Sequence, residues 1–425
     1  MSGGTIHVPD DVIFLVAQNI GNRKDLLSLS TCSRRCRAPA QKELFRHVKR
    51  TVKSQDWRPT IFPFLEHHSA VTSYIQHFTL RSDACNPNPG MDMSDFRCIL
   101  NTLNGLLSLS IMSFDWYPSP TAVNPSYKHS SLARLALLGV TAVHSSTSPL
   151  DILSATDEWH EVQLESISHP AITTPPTFHP VSTHVLDILH HPLHHGSPTL
   201  PSNFHIFQEV VNLTTRSITR NHVEAIANVI RLSYKTLQSV NIKAVCFETF
   251  TGISDWDDVC TQLRSCPNLV KLVLNFSLPH EEEGLPHSLS VHRSLQALLT
   301  RNLVKSVQGP IKCLDIVLEI RSASKQDAVH NFLQLRWDAI GNELAYAKHL
   351  EVIRVRLLSF NDVLPRWYAT QYKAVKDAFP QLSYHHMNAG ASCIVFCKTA
   401  ESVPRAMMLL CYTPTRPSDS CTLSL

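Results

Sequence analysis

Histidine is the residue type whose spacing in this sequence first suggests chemistry. Four histidines fall within residues 190–195, and His184 lies a few residues earlier. Imidazole is a common zinc ligand, but zinc sites draw their ligands at recognisable spacings from two parts of a chain. The spacing here matches no such site, and Pro192 favours a loop. We therefore interpret this segment as a solvated turn and expect no bound metal.

Thiols and carboxylates give no stronger indication of catalysis. Two cysteine pairs are each separated by three residues, Cys32 with Cys36 and Cys393 with Cys397. Neither pair is followed by the second half of a zinc site. Three glutamates at 281–283 precede a glycine and are typical of a solvated loop tip. The sequence also contains no phosphate-binding loop, nucleophile elbow or zinc-protease helix. We therefore expect neither an enzyme nor a cofactor-binding protein.

Composition and charge narrow the class of protein further. The chain has 425 residues, of which 43% are hydrophobic and 17% are charged, so it can bury sizeable cores. A formal net charge of +3 is too small to indicate a nucleic-acid partner. No apolar run is long enough to span a membrane, and residues 1–10 lack the pattern of a secretory signal. We expect an intracellular protein, in the cytoplasm, the nucleus or both.

The residues that can position a binding surface lie among the first fifty. Pro9 can start a helix, and Asp10 and Asp11 place negative charge at the positive end of the helix dipole. Apolar side chains then recur at helical spacing until Gly21-Asn22 ends the helix. The apolar face of this first helix consists of Val12, Ile13, Val16 and Ile20, with Leu15 on its flank.

Two further short helices are predicted before residue 50. Leucines within 26–29 indicate the second helix, and the residues from Ser33 onward indicate the third. We expect Pro39 to break the third helix or to end it near Arg37, because proline lacks a backbone N–H and clashes with the preceding turn. Three helices in about forty residues bury too little apolar surface to be stable alone. We therefore expect a partner protein to cover their apolar side.

The order of motifs in this stretch resembles an F-box over residues 6–50. The matching motifs are apolar-Pro-acidic at 8–10, Asp-Leu-Leu-x-Leu-Ser at 25–30, Cys-Ser-Arg-Arg at 32–35 and Glu-Leu-Phe at 43–45. The resemblance implies docking onto the Skp-type adaptor of a cullin ubiquitin ligase. It assigns the adaptor contact to eight residues: Val8, Pro9, Val12, Ile13, Val16, Ile20, Leu26 and Leu29.

Three positions depart from the F-box pattern. Val8 stands where the family has leucine, Cys36 stands where a bulky aromatic residue is usual, and Pro39 falls within the third helix. These departures keep open the alternative of a repeat-containing interaction scaffold that does not engage a ubiquitin ligase. An ordinary three-helix cap on a repeat domain is a further alternative, because amphipathic helices are common and short motifs also match by chance.

The rest of the chain contains a recurring template, apolar-x-x-apolar-x-apolar. Clear copies begin at Ile75, Leu106, Leu132, Leu237, Leu269, Ile311 and Leu350, and weaker ones at Trp159, Thr183, Val210 and Leu382. Neighbouring copies begin about 24 to 42 residues apart, which suits leucine-rich-repeat-like units although their recurring Asn is mostly missing. The last two apolar residues of a copy point inwards from a short strand, and the first closes the preceding turn. Stacked copies predict a parallel sheet, backed by helices near 221–234 and 324–337.

Together these patterns predict an α/β protein in four parts. Residues 6–50 form an F-box-like three-helix module, 51–70 a linker, 71–398 an irregular leucine-rich-repeat-like solenoid of parallel strands backed by helices, and 399–425 a flexible tail. A generic α/β domain with scattered strands is the alternative.

The whole arrangement resembles the F-box proteins that are abundant in fungi. The resemblance implies a substrate-recognition subunit of an SCF-type ligase, with a Skp-type adaptor and an unknown protein target as partners, and no nucleic acid or membrane. The strand positions expected to face the target are Arg134, Ala136, Lys271, Val273, Arg354 and Arg356.

Overall fold

The chain forms two compact α/β units, Met1–Leu237 (unit 1) and Gln238–Leu425 (unit 2). The computed structural model describes residues 8–53, 55–83, 88–119, 129, 131–144, 148–167, 180–189, 206–216, 220–244, 254–278, 309–320, 349–359, 383–387 and 393–397. The predicted tail at 399–425 and the predicted helix at 324–337 lie outside the described residues.

Unit 1 begins with three helices, named here the helical trio: α1 Asp10–Asn19, α2 Arg23–Cys32 and α3 Arg34–Arg46. Two of them begin at polar caps, because Asn22 accepts a hydrogen bond from the N–H of Lys24 and Ser33 accepts one from the N–H of Cys36. The helices stand where the sequence predicts them.

The expectation that Pro39 ends the third helix is wrong, since α3 continues to Arg46 with Pro39 inside it. Proline costs the helix one backbone hydrogen bond and crowds the preceding turn. In compensation, Pro39, Ala40 and Leu44 are all buried. Packing of this face outweighs the local penalty that the sequence indicates.

The remaining helices of unit 1 are α4 Arg58–His67, α5 Ser69–Thr72, α6 Met93–Thr102 and α7 Arg220–Leu232, with a 3-10 helix at Pro149–Ala155. Its strands are β1 His47–Val52, β2 His77–Ser82, β3 Gly90–Met91, β4 Ser108–Met112, β5 Asp115–Trp116, β6 Arg134–Leu138, β7 Thr141–Ala142, β8 Glu158–Glu165, β9 Val181–Leu189, β10 Phe207–Gln208 and β11 Asn212–Arg216. Residues 51–70, expected as a linker, thus contain the end of β1, all of α4 and the start of α5.

Unit 2 contains β12 Ser239–Ala244, α8 Ser254–Ser265, β13 Lys271–Leu278, β14 Cys313–Ile320, β15 Val352–Ser359, β16 Ser383–Met387 and β17 Cys393–Cys397. Strands β12 to β15 pair in parallel in chain order. The sheet then ends differently, because β17 pairs antiparallel with both β15 and β16.

The main sheet of unit 1 is parallel, as the template predicts. Its strand order is β1-β2-β4-β6-β8-β9-β11, and the short β10 also pairs with β9. A second, small parallel sheet joins β3, β5 and β7. The helix predicted near 221–234 is α7, and its apolar residues Val223, Ile226, Ala227 and Ile230 are buried.

Copies of the template stack on one another in register. On β4 and β6, Leu109 lies opposite Leu135 and Ile111 opposite Leu137. The same match holds from β2 through β11 in unit 1, with Thr215 in one apolar position, and from β12 through β15 in unit 2. The described side chains at these positions are buried. Each of these strands therefore contributes two residues to the stack of its own unit, and all of these residues except Thr215 are apolar.

Backbone hydrogen bonds repeat with the same period. The N–H groups of Leu107 and Ser108 both donate to the carbonyl oxygen of Gln76, at 2.8 and 3.0 Å. The N–H groups of Ala133 and Arg134 donate in the same way to Leu107, each at 3.0 Å. Equivalent pairs recur in unit 2. The template in the sequence thus repeats together with a pair of backbone hydrogen bonds as well as with the buried side chains.

We predict that Ile111→Ala destabilises the stack strongly. Ile111 is fully buried between Leu80 and Leu137, so its loss leaves a cavity. The free energy of unfolding, measured by urea denaturation, should fall by about 2–5 kcal/mol. Ser110→Ala, on the opposite face of β4, is the matched control and should change it by less than about 0.5 kcal/mol. Equal effects of the two substitutions would contradict the assignment of the buried face.

Two histidine rings stack where the sheet begins. His47 on β1 and His77 on β2 lie opposite each other, with ring centroids 4.2 Å apart and planes 7° from parallel. Burial lowers the pKa of His47, as does the charge of Arg46, whereas Glu43 acts in the opposite sense. Burial also lowers the pKa of His77, with smaller contributions from His47, Arg46 and Arg134. The fold therefore favours neutral rings.

This stack should make unit 1 less stable in mild acid. Because both pKa values are lowered on folding, the unfolded chain binds protons more readily, and stability should fall as the pH drops below about 6.5. The thermal midpoint should decrease between pH 7.5 and 5.5, and His47→Gln combined with His77→Gln should reduce that decrease. His68→Gln, outside the stack, is the control. A decrease of the same size in all three proteins would exclude the stack as its cause.

Candidate functional site

The core of the helical trio is small. Ala17 of α1, Leu26 of α2 and Leu44 of α3 are buried together, and Ile20, Leu29 and Phe45 pack partly against them. Burying one leucine contributes roughly 1.5–3 kcal/mol, while ordering each residue's backbone costs about 1–2 kcal/mol. A core of this size does not offset the ordering of three helices. Unit 1 itself supplies some of the further stabilisation, since Pro39 and Ala40 of α3 are buried and α3 contacts β1 and α5.

Apolar side chains on the outside of α1 are available for further contacts. Val12, Leu15 and Val16 are 43%, 56% and 47% exposed. Leu15 and Val16 follow Val12 by three and four residues, so the three side chains share one face. We name this surface the outer face of α1. Val8 before the helix, Phe14 on α1 and Leu27 on α2 are also exposed.

The eight residues expected at the adaptor contact fall into two groups. Val8, Pro9, Val12 and Val16 are exposed on α1 and the segment before it. Of the others, Leu26 is buried in the trio's own core, Ile20 and Leu29 pack against that core, and Ile13 is half-buried.

Sequence reasoning underestimated two leucines. Leu15, assigned only to the flank, is the most exposed apolar residue of α1, and Leu27 of α2 is 51% exposed. The spacing from Val12 to Leu15 already contains this information. The sequence did not show which face of α1 packs inwards, because the buried residue is the small Ala17 and not one of the larger apolar residues.

Arg35 fixes the chain at the start of α1. Its Nε and Nη2 donate to Oδ1 of Asp10 at 3.0 and 2.5 Å, and Nη2 donates to the carbonyl oxygen of Val8 at 2.9 Å. The pair is solvent-exposed, so it contributes less than about 1 kcal/mol to stability. Its effect is to join the segment before α1 to α3.

Positive charge lies next to the apolar surface. On α3, Arg34, Arg35, Arg37 and Lys42 are exposed. The Nζ of Lys42 lies 5.7 Å from the ring centroid of Phe14, in reach of a cation–π interaction. An apolar patch bordered by basic side chains suits a partner whose own apolar surface is bordered by acidic ones.

The described residues contain no cluster of three His, Cys, Asp or Glu side chains that could hold a metal ion. The histidines at 190–195 and the glutamates at 281–283 lie outside the described residues. Nor does any helix in the described part of the chain have the length and apolar character needed to cross a bilayer.

Four of the strand positions expected to face a target are open to solvent to different degrees. Arg134 and Lys271 are exposed, while Ala136 and Val273 are half-buried. Their neighbours on each strand belong to the buried stack, so the four side chains point to the other face of their sheets.

No protein-family model matches this chain, and no curated protein matches it significantly. The F-box resemblance therefore depends on the sequence motifs and on the surface described above.

We predict that Arg35→Ala loosens the start of α1 without unfolding the trio. The first helical hydrogen bond, from the N–H of Ile13 to the carbonyl oxygen of Pro9, follows the segment that Arg35 holds. Hydrogen–deuterium exchange, read by mass spectrometry on peptides covering 8–16, should become several-fold faster. Arg37→Ala, an exposed arginine on the same helix, should leave this exchange unchanged. If both substitutions gave the same exchange, Arg35 would have no positioning effect.

Proposed function

We propose that this chain is the substrate-recognition subunit of an SCF-type cullin ubiquitin ligase, in which the helical trio docks onto a Skp-type adaptor and the repeat-like sheet binds a protein target. The observation that carries the proposal is the combination of a small trio core with an exposed outer face of α1. The F-box motifs of the sequence agree with it.

Energetics favour a protein partner at this surface. Complete burial of a Val or Leu side chain contributes roughly 1.5–3 kcal/mol. Val12, Leu15 and Val16 are each about half exposed, so covering them adds on the order of 1 kcal/mol apiece. Val8 and Leu27 add to this surface. A partner that covers it therefore stabilises the trio as well as binding to it.

The stacked strands support the repeat-like part of the proposal. A template with a fixed strand register and a recurring pair of backbone hydrogen bonds is typical of units that are stable only when stacked. One feature differs from a regular leucine-rich repeat. Regular repeats carry Asn three residues after the last apolar residue of the template. At that place this chain has the buried residues Phe114, Val140 and Ile167.

The turn before each of these buried residues has a common backbone geometry. Ser113, Gly139 and Ser166 directly follow β4, β6 and β8 and have φ angles of 60°, 63° and 50°. The N–H groups of Ser113 and Gly139 donate to the next strand at 2.7 Å. The left-handed residue turns the chain inwards, so an apolar side chain fills the place that Asn takes elsewhere.

In this function the chain contributes proximity and no bond-making chemistry. Holding a target lysine near ubiquitin activated elsewhere in the ligase raises the effective concentration of the two reactants. Such a subunit works in the cytoplasm or the nucleus.

We predict that Val12→Asp combined with Val16→Asp abolishes adaptor binding. Two carboxylates on the outer face of α1 cannot be buried against an apolar partner surface without a large desolvation cost. Co-purification of a Skp-type adaptor with the tagged full-length chain should fall at least tenfold, while circular dichroism should show an unchanged fold.

The matched control is Gln18→Asp combined with Ser28→Asp, which adds the same charge at exposed polar positions of α1 and α2. It should retain the adaptor. Retention by the Val12→Asp, Val16→Asp chain would refute the docking surface. Absence of adaptor from the unsubstituted chain would favour the scaffold that does not engage a ligase.

A further inference from the structure

One face of the main sheet in unit 1 is covered by the apolar stack, and the other is open. Side chains alternate between the faces, so the residues between stacked positions point to the open side. All of those described on β2, β4, β6 and β8 are exposed or half-buried. We name this surface the open face; on these strands it consists of His77, Thr79, Arg81, Ser108, Ser110, Met112, Arg134, Ala136, Leu138, Glu161, Gln163 and Glu165.

Charge divides the open face into two halves. Lys49 on β1, Arg81 on β2 and Arg134 on β6 make its first half basic. Acidic residues occupy the second half: Glu161 and Glu165 lie on β8 and Asp187 on β9. Among the described strand residues of this face, no acid occurs from β1 to β6 and no base occurs on β8 or β9.

The boundary between the halves is a single ion pair. Nε of Arg134 lies 3.4 Å from Oε2 of Glu161, and these side chains are 51% and 36% exposed. The pair lies where β6 meets β8, so each charge adjoins its own half of the face. A partner therefore meets basic groups on one side of this line and acidic groups on the other.

The centre of the open face consists of small side chains and of apolar ones. Ser110 and Ala136 lie opposite each other, as do Met112 and Leu138. Small side chains allow a polypeptide backbone to approach the sheet closely, and the second pair offers it an apolar contact. Five strand intervals separate β1 from β9 in the strand order, about 24 Å at the usual spacing. An extended peptide of about seven residues spans that distance.

The equivalent face of unit 2 does not offer such a surface in its described part. Asp315 is 1% exposed, and both its carboxylate oxygens lie 3.3 Å from Nη1 of Arg354. Asn275 and Val317, opposite each other on β13 and β14, are buried on the same face. Arg354, expected to face a target, is thus engaged within the sheet, and the side chain of Arg356 lies outside the described residues.

We propose that the open face is where the target binds, and that its ligand is an extended polypeptide segment with acidic residues at one end and basic residues at the other. This inference rests on the proposed function and deepens it. The segment crosses the strands, with its acidic end over Lys49 and Arg81 and its basic end over Glu161 and Glu165. A nucleic acid does not fit, because its phosphates would meet the acidic half.

The probe is a fluorescein-labelled peptide of two acidic residues, Gly-Leu-Gly and two basic residues, which matches the length of about seven residues. Fluorescence anisotropy with the full-length chain at low salt should show binding at least tenfold tighter than for a peptide of the same composition with alternating charges. The all-acidic and all-basic peptides should also bind more weakly. Raising the salt concentration should weaken binding of the split peptide.

Charge reversal tests the orientation. Lys49→Glu with Arg81→Glu should weaken the split peptide about tenfold, because its acidic end then meets like charge. Gln163→Lys with Glu165→Lys, tested in a separate variant, leaves the second half with no net charge, because Glu161 and Asp187 remain, and should also weaken the split peptide, because its basic end loses its attraction there. All four side chains are exposed or half-buried, so the fold should tolerate these changes.

Three results would overturn the proposal: equal binding of the split and alternating peptides, equal binding of the split and all-acidic peptides, or no effect of the reversal at Lys49 and Arg81. Sedimentation of the same variants tests a second copy as occupant. A dimer that this reversal dissociates would assign the face to self-association instead. Adaptor co-purification should be unchanged in all of these variants, so a failure here is distinct from a failure of adaptor docking.

Discussion

In-register contact between apolar side chains of neighbouring parallel strands is the interaction on which both units depend. Leu109 and Ile111 contact their counterparts on the strands at either side, and the same two positions recur in copy after copy. A slip of one residue would move both to the opposite face and bring Ser110, together with Ser108 or Met112, into the stack. The carbonyl oxygens of Gln76 and Leu107 each accept hydrogen bonds from two consecutive N–H groups at the start of the next strand, and these bonds fix the register of that strand. Register, core and backbone bonding therefore support one another.

The two proposed binding surfaces differ in how completely the core beside each of them is packed. In the sheet, the stack completes its own core, so the open face is free to carry charge in a pattern that a target can recognise. In the helical trio, Ala17, Leu26 and Leu44 leave the core incomplete, and apolar surface remains outside. The first surface is polar and selective, and the second is apolar and gains stability from being covered. One chain can therefore hold two partners by different physical means.

Strand β1 shows why a template search does not find every strand. It pairs with β2 so that Val48 lies opposite Phe78 and Arg50 opposite Leu80. Arg50 is not apolar, but its guanidinium carbon lies 4.0 Å from the ring centroid of Phe64 on α4. Arg50 is also exposed, because β1 is the first strand of the sheet, so a charged residue in the register of the stack keeps its contact with solvent while its guanidinium lies over the ring. Only a helix brought over the strand by the fold supplies that ring, so no local pattern predicts it.

The sequence by itself determined the three opening helices, the spacing of the stacked strands and their parallel pairing, because periodicity and turn residues act over a few neighbouring positions. Only the tertiary structure decided that Pro39 stays inside α3, that Leu26 faces inwards while Leu15 faces solvent, and that the charges of the sheet separate into two halves. These outcomes depend on which distant strands and helices come together. Burial and register are properties of such contacts, and a single segment does not contain them.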